Sequence, residues 1–379
     1  MEISLSEEQI LLKNSVERFV ERDYEFGLRR ELAKSDEGFS KELWLKFSEL
    51  GWLGLTMPEK YGGLDGSLVD SVVLMEALGR GLVLEPMLSS VLLGANLLRR
   101  AGSSSQQENL IPKVIDGSLF LSFAFTERQS RYSLSDVEMT ARRSENGYVL
   151  DGMKSLVLHG DTADKIIVSV RQEGDNRNKD GISLFIVDRE TEGVISRSYP
   201  TVDGLRAADI EFRGVSVTEN NLLGEEGKAY LVIEDVIDEA CVAICGEAIG
   251  VMDALMNSTL EYIKSREQFG VSIGSFQVLQ HRAVDMFNAL ELSRAMVFRA
   301  ADTVDSSESR DNRAIAASAV KVQIGRAGKL IGQQAIQLHG GMGMTEEMSV
   351  SHYFKRLTMI TALFGDADYH LKRYTSLTR

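Results

Sequence analysis

"LFLSFAFTER", Leu119 to Arg128, is where the chain changes period. Upstream, apolar residues recur every three or four positions. Here they form a run, with Phe120, Phe123 and Phe125 close together. A short apolar or alternating run ended by polar residues reads as a strand, and three-to-four spacing reads as a helix. A second change, near residue 226, returns the pattern to helix. The expected architecture is mainly α with a β middle domain. Residues 1–120 form a helical N-terminal domain, 121–225 an antiparallel β domain, and 226–379 a C-terminal four-helix bundle.

Working outward, "LSEEQILLKNSVERFV" begins with Ser6 and Gln9 at capping-box spacing, with Leu5 and Ile10 placed as a hydrophobic staple. Pro58, Gly62 and Gly63 mark a loop before the helical "LVDSVVLMEALGRG". On the other side, "GYVLDG", "KIIVSV", "GISLFIV" and "ADIEFRGVSV" are short β-branched or aromatic runs. No helix-length pattern separates them, which favours antiparallel pairing. The charged Arg171 to Gly181 reads as a solvated hairpin tip. Beyond it, residues 228–265, 276–304 and 311–339 carry long helical patterns, and "HGGMG" stops the last.

The formal net charge is −14 over 379 residues. Binding to nucleic acid or an anionic membrane needs clustered Lys and Arg, so neither is expected. Met87 to Leu98 is apolar but too short for a membrane span, which takes about 20 residues. "MEISLSEEQI" has no basic segment ahead of an apolar run, so no signal peptide is expected. Cys241 and Cys245, four apart in a helical pattern, read as packing residues. They give neither a disulfide framework nor a metal site, which suits a reducing cytoplasm.

Four strings can carry chemistry. In "YIKSREQFGVSIGSFQ", Tyr262 to Gln277, Arg266 suits a phosphate and Phe269 can flank an aromatic ring. A helix end followed by a glycine turn explains the same residues. In "QLHGGMGMTEE", Gln337 to Glu347, the glycines allow close approach to the backbone, though a helix stop accounts for them too. In "EACVAICGEAIGVMDALM", Glu247 shares a helix face with Ala240, Ala243, Ile244, Gly250, Val251 and Ala254. A carboxylate on such a face is functional or is paired with an Arg or Lys from another helix. The small neighbours suggest room for something to approach. Finally, Thr126 in "TERQSRYSLSD" follows an apolar strand, where a hydroxyl can meet a ligand or simply belong to a turn.

Together these strings resemble the acyl-CoA dehydrogenase family over essentially the whole chain. The most specific pieces are "SREQFGVSIGSFQVLQH", "QLHGGMG" and "YFKRLTMITALFGDADYHLKRY". The resemblance implies FAD as cofactor and α,β-desaturation of an acyl-CoA thioester. A carboxylate removes the α proton while a β hydride passes to flavin N5. A ribityl hydroxyl and a backbone N–H polarise the thioester carbonyl. It implies FAD contacts at Arg266, Gln268, Phe269 and Gln277, at Gln337, Gly340 and Gly341 across a subunit interface, and at Thr126. It also implies a homo- or heterotetramer and an electron-transfer flavoprotein as acceptor.

The departures are specific. The family's Pro-Gly-x-Gly-Ser-Asp appears as "RQSRYSLSD", and its Trp-x-Thr as Leu156, Val157 and Leu158. Its late-loop glutamate falls on Gly365, with Asp366 one place on. Glu247, in the motif "GEAIG", resembles the base position of bacterial members, including those acting on steroid side chains. Glu247 is therefore the expected base and Asp366 the alternative. Asp366 and Asp368 otherwise read as caps or ion-pair partners of the closing helix. Two other functions fit the sequence: a related flavin oxidase, and a non-catalytic subunit completing the FAD site of a heteromer.

Overall fold

The apolar runs after Leu119 become one sheet. The computed structural model describes residues 5–379. Its strands are β1 (Leu121–Ala124), β2 (Thr140–Ser144), β3 (Gly147–Leu158), β4 (Lys165–Arg171), β5 (Ile182–Asp188), β6 (Val194–Pro200), β7 (Arg206–Val217) and β8 (Leu222–Leu223). Their order is β6-β7-β3-β2-β4-β5-β8, with β1 on β4. The sheet is mixed, which corrects the expected antiparallel domain. β1 lies parallel to β4, from Leu121 opposite Lys165 to Ala124 opposite Val168. A parallel pair needs a long crossover. Residues 125–164, holding the β2–β3 hairpin, supply it without the helical signal that such a connection usually leaves.

β4 and β5 are buried along nearly their whole length, so they read as continuous apolar runs. The loop between them, residues 172–181, is the expected hairpin connection and is exposed from Glu173 to Asp180. Arg171 instead ends β4 and is buried, its guanidinium donating to the Ser135, Asn176 and Asp180 carbonyls. The edge strand β6, "VISRSYP", is mostly exposed and ends in proline, so it leaves little apolar pattern to read.

The chain forms two compact units. The sheet unit holds Leu32–Gly66 and Leu84–Ala240. At its centre Lys154 is fully buried, and its ammonium donates to Glu127 Oε1 at 2.7 Å and Ser169 Oγ at 3.1 Å. The Glu127 carboxylate also accepts the backbone N–H groups of Glu138 (2.9 Å) and Met139 (3.2 Å). One carboxylate thus pins both ends of the loop between β1 and β2. Burial alone would raise Glu127, but the Lys154 ammonium and these hydrogen bonds hold it below the usual carboxylate range. Burial pulls Lys154 down, opposed by Glu127.

The helical unit holds the chain up to Glu31, Ser67–Val83 and Cys241–Arg379. Ser6 and Gln9 form the expected capping box of helix Glu7–Asp23. The long helices are Tyr230–Ser265, which begins in the sheet unit, Gln277–Ser306 and Arg310–His339. Helix Leu68–Arg80 lies against the first of these, backbone to backbone. A Cβ on Gly250 would sit 1.8 Å from the Glu76 carbonyl oxygen, and one on Gly79 would sit 2.3 Å from that of Glu247. Buried Glu76 is paired with Lys13 and Arg294, and Arg294 also reaches Asp253 at 3.2 Å.

Removing one partner of a buried pair leaves an uncompensated charge. Glu127→Gln should cost about 3–5 kcal/mol in urea unfolding. The double variant Glu127→Gln with Lys154→Met should recover part of that loss. A single variant as stable as wild type would show that the pin carries no stability.

Candidate active site

Helix Tyr230–Ser265 ends where the Arg266 N–H donates to the Tyr262 carbonyl at 2.8 Å. A two-stranded hairpin follows instead of a plain glycine turn. Glu267–Gln268 pairs antiparallel with Val271–Ser272. Its turn residues Phe269 (φ 56°) and Gly270 (φ 81°) are both left-handed, the geometry of a type I′ turn. Asn-Gly is the usual signal for that turn, so Phe-Gly did not announce it. Left-handed φ costs a non-glycine residue about 1–2 kcal/mol. Phe269 bears that cost while 94% exposed. The Arg266, Gln268 and Gln277 side chains are also exposed. Arg266 has no ion-pair partner among the described residues, and the Gln268 amide donates only to the neighbouring Glu267 carbonyl.

Helix Arg310–His339 stops at Gly340 (φ 59°), and one 3₁₀ turn, Gly340–Met344, follows. No atom lies within 4 Å of where a Cβ would stand on Gly340 or Gly341. The backbone is therefore open to an approaching group, with Gln337 exposed beside it. The structure joins this turn to the hairpin segment through residues that the sequence did not single out. The buried His339 ring stacks on Tyr262 at 4.4 Å between centroids. His339 Nδ1–H donates to the Ala335 carbonyl at 2.9 Å, which fixes the neutral tautomer. Burial lowers the pKa of this imidazole.

Thr126 belongs to the sheet unit, two residues past β1. Its carbonyl accepts the Ser155 N–H at 2.8 Å. It is half-buried, and its hydroxyl has no partner among the described residues. The adjoining Leu156 is left-handed (φ 52°), with its N–H on Asp209 at 3.2 Å.

Both candidate carboxylates have structural partners. Glu247 and Arg356 are 5% and 6% exposed. Arg356 Nε donates to Oε1 at 2.5 Å and an Nη to Oε2 at 2.7 Å, a bidentate buried pair. This is the inter-helix ion pair that the sequence left open. The room suggested by the small residues near Glu247 is taken by helix Leu68–Arg80. Asp366 is the N-cap of helix Ala367–Leu377, accepting the Tyr369 N–H at 2.8 Å, and Asp368 lies in that helix's first turn. Gly365 has φ 122°, and a Cβ there would meet the Tyr369 ring at 2.4 Å and His370 Nε2 at 2.8 Å.

Three family models match the chain in order. They are the acyl-CoA dehydrogenase N-terminal domain over residues 6–118, the middle domain over 122–215 and the C-terminal domain over 230–375. The chain belongs to the acyl-CoA dehydrogenase family. It is a flavin-dependent acyl-CoA oxidoreductase, and its cofactor is FAD. It is 30% identical over 320 residues to the mitochondrial isovaleryl-CoA dehydrogenase of Solanum tuberosum, covering 83% of this chain and 76% of that one. It is 28% identical over 372 residues to the 3-(aryl)acrylate reductase of Clostridium sporogenes, covering 96% of both. The ChsE4-ChsE5 complex from Mycobacterium tuberculosis contains a chain of the same fold. That chain has TM-score 0.88 and 25% identity, and the match covers 99% of this chain and 98% of that one. Among the described residues, no helix is long and apolar enough to cross a membrane.

The late loop of this family member is sterically closed to a side chain at 365. Gly365→Ala should lower stability by about 1–3 kcal/mol, measured by denaturant unfolding. An unchanged midpoint would show that Tyr369 and His370 yield freely.

Proposed function

We propose that the chain catalyses FAD-dependent α,β-desaturation of an acyl-CoA thioester, in a site shared between subunits of a tetramer. The observation that carries this reading is the exposed Arg266–Gly270 hairpin stacked, through Tyr262 and His339, beside the open Gly340–Gly341 backbone. An unpaired guanidinium, a bare aromatic ring and two uncovered glycines fit an anionic, planar cofactor that a second chain helps to cover. Arg266 would meet the pyrophosphate. Phe269, Gln268 and Gln277 would contact the cofactor near it, and Gln337, Gly340 and Gly341 would reach that of a neighbouring subunit. Thr126 would lie beside the flavin. Bound FAD supplies the two-electron acceptor. Exposed Val278, Val284, Phe287 and Leu292 on helix Gln277–Ser306 support burial against further chains. The working domain division is 1–120, 121–225 and 226–379. The acyl group is of the fatty or steroid side-chain kind, the setting is cytoplasmic, and the electron acceptor is an electron-transfer flavoprotein.

In this reading Glu247 takes the α proton, with Asp366 as the alternative, and substrate binding must loosen the Arg356 pair to free an oxygen. A second reading is favoured by that same pair and by the Asp366 cap. With both carboxylates structurally engaged, the chain completes the FAD site of a heteromer and carries no base. Its likeness to a chain of the ChsE4-ChsE5 complex is consistent with that arrangement.

Anaerobic titration with a panel of acyl-CoA thioesters tests the two. Wild type should bleach its flavin with at least one thioester. Glu247→Gln, at unchanged flavin content, should slow bleaching by about 100-fold or more, and Asp366→Asn should not. Bleaching of Glu247→Gln at the wild-type rate sinks the base assignment. Wild type that binds FAD only when a second chain is added supports the heteromer. Phe269→Ala should leave the thermal midpoint of the isolated chain unchanged while reducing FAD per chain and the fraction of tetramer in light scattering. Full FAD retention would remove the hairpin from the cofactor site.

A further inference from the structure

Lys321 lies on helix Arg310–His339 with no measurable exposure. A buried ammonium is costly unless paired. No carboxylate lies within ion-pair distance of Lys321 among the described residues. Its hydrogen bonds go to backbone carbonyls, to Thr361 at 3.0 Å and Gly365 at 2.7 Å. The first is one of the orphan carbonyls at the end of helix Ser349–Ala362. Buried His370 adds a third contact, its Nε2–H donating to the Phe364 carbonyl at 3.1 Å, while Nδ1 accepts from Ser318 Oγ at 3.3 Å. Three carbonyls of one short segment are therefore turned inward onto two buried side chains.

Planar trans peptides fix the consequence. The N–H after each inward carbonyl points the other way. With the Phe364 carbonyl on His370, the Gly365 N–H faces away from His370. With the Gly365 carbonyl on Lys321, the Asp366 N–H faces away from Lys321. Neither N–H has an acceptor among the described residues. Phe364 (φ 60°) and Gly365 (φ 122°) are both held in left-handed geometry. Backbone strain of this kind needs surroundings that over-determine it, and Lys321 and His370 supply them.

We propose that Lys321 is a positioning residue: with His370 it sets the Phe364–Asp366 backbone so that outward N–H groups can polarise the thioester carbonyl. This deepens the dehydrogenase reading and rests on it. A solvent-exposed helix end needs no desolvated cation to cap it. Here Gly365, the residue whose carbonyl Lys321 holds, is itself buried. Burial pulls the Lys321 ammonium below its ordinary value, with Cys241, Cys245 and Asp366 pulling the other way.

The test uses the FAD-loaded protein and Lys321→Met, which keeps most of the unbranched side chain and removes its donors. Amide hydrogen exchange reads the loop directly, through the Leu363 and Tyr369 N–H groups that bond to Met359 and Asp366. Exchange there should quicken about 10-fold or more in Lys321→Met. With the thioester that bleaches wild type, kcat should fall by about 100-fold, the effect of a small misplacement at a reacting centre. KM and FAD content should stay near wild type. Should Lys321→Met fail to fold, Lys321→Gln, which keeps an amide donor, decides on the same readouts with smaller changes. Unchanged exchange overturns the assignment. Quickened exchange with unchanged kcat overturns it too, leaving Lys321 a purely structural cap. If exchange quickens but no thioester bleaches wild type, the dehydrogenase reading falls and takes this inference with it.

Discussion

Glu247 and Arg356 stand 109 residues apart in the chain and meet through both oxygens in a space nearly closed to water. Charges held there are stable only while their geometry is kept, because either one alone is costly. The pair therefore fixes helix Ser349–Ala362 against helix Tyr230–Ser265. The closing segment, with Gly365 and the Asp366 cap, follows directly from that helix. On the other side of Glu247, Gly79 and Gly250 bring helix Leu68–Arg80 into backbone contact. A bulky residue at either glycine would force these helices apart and weaken the geometry that keeps the pair dry.

Much of this architecture was readable because its signals are local. The Ser6–Gln9 capping box, the three long helical patterns and the buried runs of β4 and β5 depend on residues close in sequence. What escaped depends on partners far away. β1 gave no sign of which neighbour it would join, and its parallel pairing with β4 is set across 40 intervening residues by the hairpin between them. β6 is an exposed edge and lacks apolar alternation. The turn at Phe269–Gly270 departs from the residue types that usually advertise a type I′ geometry.

The site was legible as a set of strings, less so as a constellation. Arg266 and the Gly340–Gly341 pair stood out by composition. Tyr262 and His339, which join their segments, look like ordinary helix residues in the sequence. Glu247 was conspicuous for a sound reason, since a carboxylate among small and apolar residues must have a purpose. The sequence alone could not separate a base from half of an ion pair, because Arg356 arrives from the far end of the chain. The small residues beside Glu247 were misleading in the same way: they make room for a helix. Lys154 carried no motif, and Glu127 stood in the string around Thr126 without being singled out. Their importance lies in burial, which no single residue reveals.

Gly365 also has a bearing on how this sequence can change over time. The position is left-handed, and the Tyr369 and His370 rings stand where any side chain would begin. Placing a carboxylate there by one substitution would strain the backbone and collide with a residue that helps to hold it. A route to a late-loop acid would have to pass through earlier changes at 369 and 370, and His370 already carries the Phe364 carbonyl. The packing thus acts as a ratchet. While the closing helix packs around a glycine, no single substitution readily places an acid at 365, and a proton acceptor must stand at another position, such as Glu247 or Asp366, or on another chain.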